Sequence, residues 1–354
     1  MKAIAPGKII LSGEHAVVYG NSALVMAVNE YSSAQIDIAD EQKIVFSLPD
    51  LHSIASFTMD EIRDRYRLLR YNYERFAQGR LNVTEIVTTP VDLFVYVYIS
   101  MLDRCAVKIP AGLTITIKST VPAGCGMGSS AATIVSLITA LAAYFNISDT
   151  PEIFYDLALE TENLQHGHSS GVDPYIALHG GFCRFRHKQP HRLPMPDFPF
   201  TIVNTGAPAA STGESVAQVA QWFRNSSIWK DFQAVTDAFE QACSDRNKSE
   251  LTRCMRENHR LLCTIGVVPE MVQHFIAGME KQGGAGKISG AGSVKGEQAG
   301  IVLALCEENV ETSSADFGYK VLSIKGEKNG ARIVPGISAR QINAVGRTCG
   351  STWA

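Results

Sequence analysis

Three glycines at alternate positions, Gly124, Gly126 and Gly128, precede the hydroxyls Ser129 and Ser130 and an apolar run over residues 131–145. Glycine has no Cβ, so backbone at this spacing can turn through left-handed conformations and come close to a ligand. A helix starting at the serines would offer unpaired N–H groups and the positive end of its dipole. Such an arrangement is an anion site, most often for phosphate. The competing reading is a glycine-rich turn whose Ser129 merely caps a helix. The loop follows neither common phosphate-binding pattern: no Gly-x4-Gly-Lys-Ser/Thr occurs in the chain, and the glycine spacing is not that of a dinucleotide fold.

Other groups able to do chemistry sit in turns. Lys8 follows Pro6-Gly7, and Glu14 stands beside His15 directly after Gly13. Thr150-Pro151 is a helix start, a hydroxyl cap followed by proline in the first turn, and the helix should run to about Gln165. Glu160 and Glu162 would lie near its end, where the dipole disfavours a carboxylate, so at least one of them calls for a compensating cation, a metal included. Residues 166–173 then form a polar loop ending in Asp173. Its His166 and His168 have no third ligand nearby, which argues against zinc. Hydroxyls over residues 205–213 offer a second possible anion-binding helix start, and residues 283–292 form a second glycine-dense stretch.

The elements that must position these groups can be read from periodicity. Short, β-branched runs at residues 8–11, 16–19, 23–28 and 33–38 favour strands, although residues 13–19 also suit an irregular turn. Residues 60–78 form an amphipathic helix, and a second runs from Val91 to about Cys105 with Pro90 at its first turn. The tyrosines of this region and Phe94 are read as core. The alternating residues 112–120 form a strand that delivers the chain into the glycine loop. Four prolines, Pro190, Pro194, Pro196 and Pro199, fall within residues 184–200. That density marks a linker or an edge crossover and places a domain division there, into residues 1–190 and 191–354. Beyond it come a strand at 198–204, helices over 218–278 broken near residues 225–227, 245–247 and Gly266, and a buried strand at 300–305.

The chain has 354 residues, long for one core and comfortable for two domains. With 45% hydrophobic and 19% charged residues it has the composition of a globular protein. A formal charge of -3 gives no global attraction to nucleic acid or to an anionic membrane surface, so any anion site is local and the expected ligand is a small molecule. Eight scattered cysteines with no CxxC pair read as reduced thiols. The first residues lack the pattern of a signal peptide. The most apolar run, 131–145, is shorter than the ~18 to 20 residues of a membrane span. A cytoplasmic location is expected, with no membrane and no nucleic acid as partner; the assembly is left open, a homodimer included.

Taken together, four stretches resemble the GHMP small-molecule kinases, and within them the mevalonate kinase branch: residues 6–20 (PGKIILSGEHAVVYG), the loop at 122–132, the spacing from Glu162 through 166–173 to Asp173, and residues 287–292 (KISGAG). The resemblance covers roughly residues 3–305. It implies an α+β fold of two domains, the first with a left-handed βαβ unit and the second ferredoxin-like, with the active site between them. It implies transfer of the ATP γ-phosphate to a small-molecule hydroxyl, mevalonate being the leading acceptor; phosphomevalonate, a sugar or a heptose, or a nucleotide-binding sensor without turnover, are the alternatives. The residues it implies are Pro122, Gly124, Gly126, Gly128, Ser129 and Ser130 for ATP, and Ser130 and Glu162 for Mg²⁺. Asp173 and Lys8 would be catalytic, and Glu14, His15, Thr212, Gly290 and Ala291 would serve the substrate. Residues 293–298 interrupt the glycines with which the family's third motif usually continues.

Overall fold

A computed structural model describes residues 1–39, 41–104, 112–147, 151–187, 189–306 and 310–335. In chain order the elements are β1 (Lys2–Ser12), β2 (Ala23–Ile38), β3 (Ile44–Leu48), β4 (Ser53–Phe57), α1 (Met59–Ala77), α2 (Val91–Arg104), β5 (Leu113–Ser119), α3 (Ser129–Phe145), α4 (Pro151–His166), α5 (Val172–His179), β6 (Phe182–Arg186), β7 (Gln189–Leu193), β8 (Thr201–Asn204), α6 (Thr212–Phe223), α7 (Ile228–Ser244), α8 (Lys248–Thr264), α9 (Glu270–Lys281), β9 (Ala285–Ser289), β10 (Ile301–Leu305), α10 (Val310–Asp316), β11 (Lys320–Leu322) and β12 (Arg332–Ile333). Thr150, Cys105 and Cys349 lie outside the described residues.

Eight strands form the first sheet, in the path β12-β1-β2-β5-β3-β4 with β6 and β7 joined to β2. Its spine is β2, sixteen residues long, with β1 on one edge and the other edge shared between β6 and β5. The runs expected as separate strands at 23–28 and 33–38 are thus one strand. The run at 16–19 is not a strand but a single 3-10 turn, Ala16–Tyr19, entered through Gly13 at φ 92° and His15 at φ 57°. Two positive φ values so close together cannot continue a pleated strand.

The second sheet has four strands in the order β11-β8-β10-β9. Numbered within this half the order is 4-1-3-2, with helices after the first strand and before the last, which is the ferredoxin-like βαββαβ arrangement. Helices α6 to α9 break where the turn residues fall, at 224–227, 245–247 and 265–269. The proline-dense stretch is in part a hairpin: β7 pairs β6 from Phe182↔Leu193 to Arg186↔Gln189, so a division at 190/191 would cut a strand. Pro190 is tolerated there because β7 is the outermost strand and needs no N–H on its free side. Of the aromatic residues read as core, Phe94, Tyr96 and Tyr98 on α2 are buried and Tyr66 and Tyr73 on α1 pack partly buried against the same core, whereas Tyr71 is 57% exposed.

One apolar cluster runs through both halves. It joins Ile9, Leu11 and Met127 of the first to Ile202, Phe232, Ile288 and Val302 of the second. Around it a polar seam ties α7 to the turn after β1. Ser12 Oγ and Thr236 Oγ1 share a buried hydrogen bond of 2.8 Å, Tyr19 stacks on Trp229 at 4.1 Å, and Arg184 of β6 donates to Ser22 Oγ at 3.0 Å, Glu240 at 2.8 Å and Asp237 at 2.6 Å. A half-buried guanidinium with three partners contributes more than an exposed pair, because its loss strands two carboxylates. Arg184→Ala is expected to lower the unfolding free energy by about 1–3 kcal/mol, read as a shifted midpoint in urea denaturation; an unmoved midpoint would show the network to be energetically idle.

Candidate active site

The glycine loop is organised by contacts that a Cβ would prevent. All three glycines are left-handed, with φ 69°, 84° and 70° at Gly124, Gly126 and Gly128. A Cβ on Gly126 would lie 2.9 Å from the Ser289 carbonyl oxygen, so the loop and the turn after β9 meet backbone to backbone. A Cβ on Gly128 would lie 3.0 Å from Lys8 Cγ and 3.4 Å from Asp173 Oδ2. Gly128, not Ser129, holds the cap position of α3, whose first residue is Ser129.

Beneath Gly128, Lys8 and Asp173 meet. The Lys8 N–H donates to the Met127 carbonyl at 2.9 Å, fixing β1 to the loop, and Lys8 Nζ lies 3.2 Å from Asp173 Oδ1. The lysine side chain is 6% exposed and the aspartate 30%. Asp173 is in the first turn of α5, where the helix dipole favours a negative charge.

On α4, Glu162 is buried and its Oε1 has no partner, while Oε2 lies 3.7 Å from His166 Nε2 one turn on. Burial raises its carboxyl above the ordinary 4.5, the His166 ring opposing this and the Asp173 charge adding to it. Ser130 is close enough to favour the ionised form, but its hydroxyl hydrogen goes to Gln165 Oε1 at 2.6 Å. A desolvated carboxylate with an unpaired oxygen is costly unless a cation completes it. Glu160, by contrast, has its cation in Arg104 at 2.5 Å.

Two cavities adjoin the loop. The larger, about 800 Å³, is lined by Pro122, Gly124, Ser129 and Ser130 and by apolar side chains including Phe94 and Ile117. The smaller, about 320 Å³, is lined by Gly126, His166, Thr212, Ser289 and Ala291. Gly124 and Gln165 border both. An elongated ligand could lie in the larger cavity with its polyanionic end over α3, facing a small molecule on the other side.

The family model for the GHMP kinases N terminal domain matches residues 93–181. The mevalonate kinase of Archaeoglobus fulgidus is 34% identical over 295 residues, covering 82% of this chain and 89% of the relative. The chain belongs to the mevalonate kinase branch of the GHMP kinases. That of Thermococcus sibiricus is 28% identical over 94% of this chain and 97% of its own. The solved Methanococcus jannaschii mevalonate kinase superposes with a TM-score of 0.76 at 22% identity, covering 92% and 98%, a likeness of fold.

In this GHMP kinase the residues expected from sequence fall into three groups. Pro122, Gly124, Ser129 and Ser130 border the large cavity, and Lys8, Asp173, Ser130 and Glu162 gather beside it. Gly126, Thr212 and Ala291 border the small cavity, with Gly290 at φ 104° packed on Gly126. Glu14 and His15 do not open on either cavity. Glu14 is 1% exposed and paired with the fully buried Lys287, and His15, 5% exposed, donates from Nε2 to the Ala291 carbonyl at 2.9 Å. Burial lowers the His15 ring pKa. Glu14 thus lies buried as the counter-ion of Lys287, with its Oε2 left without a partner.

Gln165 and His166 are additional members. They are three and four residues after Glu162, so a helical reading that asked which residues share its face would have found them. Lys295, in the interrupting segment, pairs with Glu214 at 2.9 Å on the surface. Gly124→Ala and Gly126→Ala both force a side chain into left-handed backbone, at about 1–2 kcal/mol, but only the second meets a carbonyl; Gly124 has nothing within 4 Å. Gly126→Ala should therefore lower the thermal midpoint clearly more than Gly124→Ala, and equal midpoints would remove the loop-to-turn contact from the account.

Proposed function

We propose that this GHMP kinase transfers the γ-phosphoryl group of ATP to the hydroxyl of mevalonate, giving phosphomevalonate. The reading rests above all on one observation, the Lys8–Asp173 ion pair held under Gly128 at the start of α3. Structural ion pairs are common, but this one sits where an anion cradle and two cavities converge. The affinity with curated mevalonate kinases supports mevalonate over other acceptors.

In this reading the nucleoside occupies the larger cavity and its phosphates lie over residues 124–130, met by backbone N–H groups and the helix dipole. The residues fit a magnesium ion: Ser130 and Glu162 supply hard oxygen ligands, and the unpaired, desolvated Glu162 Oε1 is the atom that a cation would complete. When bound, such an ion neutralises charge on the phosphates. Asp173 accepts a hydrogen bond from the acceptor hydroxyl, orients it and takes its proton as the new P–O bond forms. The Lys8 ammonium offsets charge on the transferred group and holds Asp173 in place. Because phosphoryl transfer passes through a loose transition state, positioning contributes more than strong basicity. Thr212 and Ala291 border the space left for a small acceptor.

The assay is ADP release from the purified chain with mevalonate, phosphomevalonate, galactose and homoserine. Turnover is expected with mevalonate and lost on omission of Mg²⁺; no turnover with mevalonate overturns the assignment, and none with any acceptor favours a nucleotide sensor. Asp173→Asn should lower kcat by roughly a hundredfold or more, with nucleotide affinity little changed; wild-type turnover would take Asp173 out of the mechanism.

Glu162 gives a pH-dependent test. Its folded pKa is raised, so its favourable contribution is complete below the ordinary 4.5 and is lost as pH rises through the raised value. Glu162→Gln should therefore raise the melting temperature of the metal-free protein at pH 7 more than at pH 4. It should also abolish the extra stabilisation that Mg²⁺ gives to the ADP-bound protein. A variant no more stable than wild type at pH 7 would argue against the desolvation that makes the metal reading fit.

A further inference from the structure

Lys287 lies within β9 with no exposure at all, and Glu14 is 1% exposed. An ammonium has three donors, and all three are taken: by Glu14 Oε1, by the Ile288 carbonyl at 2.8 Å and by the Ile10 carbonyl at 3.3 Å. No donor remains for a phosphate or a substrate. The strand holds β1 a second time at the same residue, because the Ile10 N–H donates to Ser289 Oγ at 2.8 Å. Both backbone groups of Ile10 thus bond to β9, at the place where β1 shifts its register against β2 between Ile10 and Ser12.

This grip has consequences in both directions along the chain. Side chains two apart on a strand share a face, so fixing Ile10 also fixes the height and direction of Lys8. Downstream, His15 is left-handed at φ 57°, a conformation that a residue with a side chain keeps only when its surroundings impose it. It is held between the Glu14–Lys287 pair and its own bond to the Ala291 carbonyl. The turn between β1 and β2 is thereby clamped by the second half of the molecule, through residues that touch neither cavity except Ser289 and Ala291.

We infer that Lys287 is a positioning residue for the reacting centre, with Glu14 as its buried counter-ion, and that the pair acts by fixing β1 and the turn after it. Neither side chain lines either cavity, although Glu14 Oε2 is left without a partner. The inference rests on the kinase reading above for its kinetic readout, but not for its structural one.

The test uses the full chain with Lys287→Met, Glu14→Gln, the two combined, and Ser289→Ala, which strands no charge and guards against a failure of the first two to fold. Each single variant is expected to lower kcat by roughly tenfold or more, while the affinity for a fluorescent ADP analogue stays unchanged. The combined variant should lose less than the product of the two single losses, because neither charge is left stranded. In ¹³C-histidine NMR the His15 resonance should shift in Lys287→Met. Glu14→Gln raising only the KM for mevalonate, with kcat and melting intact, would make Glu14 a substrate ligand and overturn the inference. So would wild-type kcat in both Lys287→Met and Ser289→Ala. If the wild-type chain phosphorylates no acceptor, the kinase reading fails by itself, and an unmoved His15 resonance then decides against the clamp.

Discussion

The structure depends on a place where two stretches of backbone come closer than side chains allow. Gly126 lies against the turn after β9, Gly128 lies over Lys8 and Asp173, and the Lys8 N–H is bonded to the loop's own Met127 carbonyl. A first strand, a phosphate-type loop and the start of α5 can share one small volume because nothing but hydrogen projects from the loop. The helix that follows has no side-chain cap at its start, and its first residues, Ser129 and Ser130, form part of the wall of the larger cavity.

Two buried carboxylates near this centre show how differently the same desolvation can be handled. Glu14 is met by Lys287, whose remaining donors go to backbone carbonyls, so the pair is closed to anything that enters the cleft. Removing one partner from such a pair costs about 3–5 kcal/mol, because the other charge stays behind. Glu162 has His166 at 3.7 Å and Ser130 close by, and its Oε1 is without a partner. Glu14 too keeps one oxygen, Oε2, without a partner, but its other oxygen has the Lys287 ammonium. In the proposed kinase reading a bound cation would do for Glu162 what Lys287 does for Glu14.

Features that depend on neighbours in sequence were legible. The strand before the glycine loop, the helix after it, the breaks between α6 and α9 and the place of Asp173 after a glycine-punctuated loop all follow from turn chemistry and periodicity. Pairings across the chain were not. Glu14 and Lys287 are 273 residues apart, and nothing local distinguishes a glutamate that will be sealed behind a cleft from one that lines it. The run at 16–19 has the composition of a strand, but its conformation is set by the left-handed residues before it and by Trp229 stacked on Tyr19. The proline-dense segment looked like a connection because proline weakens a ladder, and that argument fails on the outer strand of a sheet.

The first strand is also the last to be covered. Ala3 pairs with Ile333 and Ile4 with Arg332, while the clamp on Ile10 comes from β9. β1 precedes β12 in the chain, so its outer edge at Ala3 and Ile4 waits for residues made far later, and until then it presents unpaired N–H and C=O groups to any other strand. That edge stays open to strand pairing for as long as the stretch between β1 and β12 takes to be made.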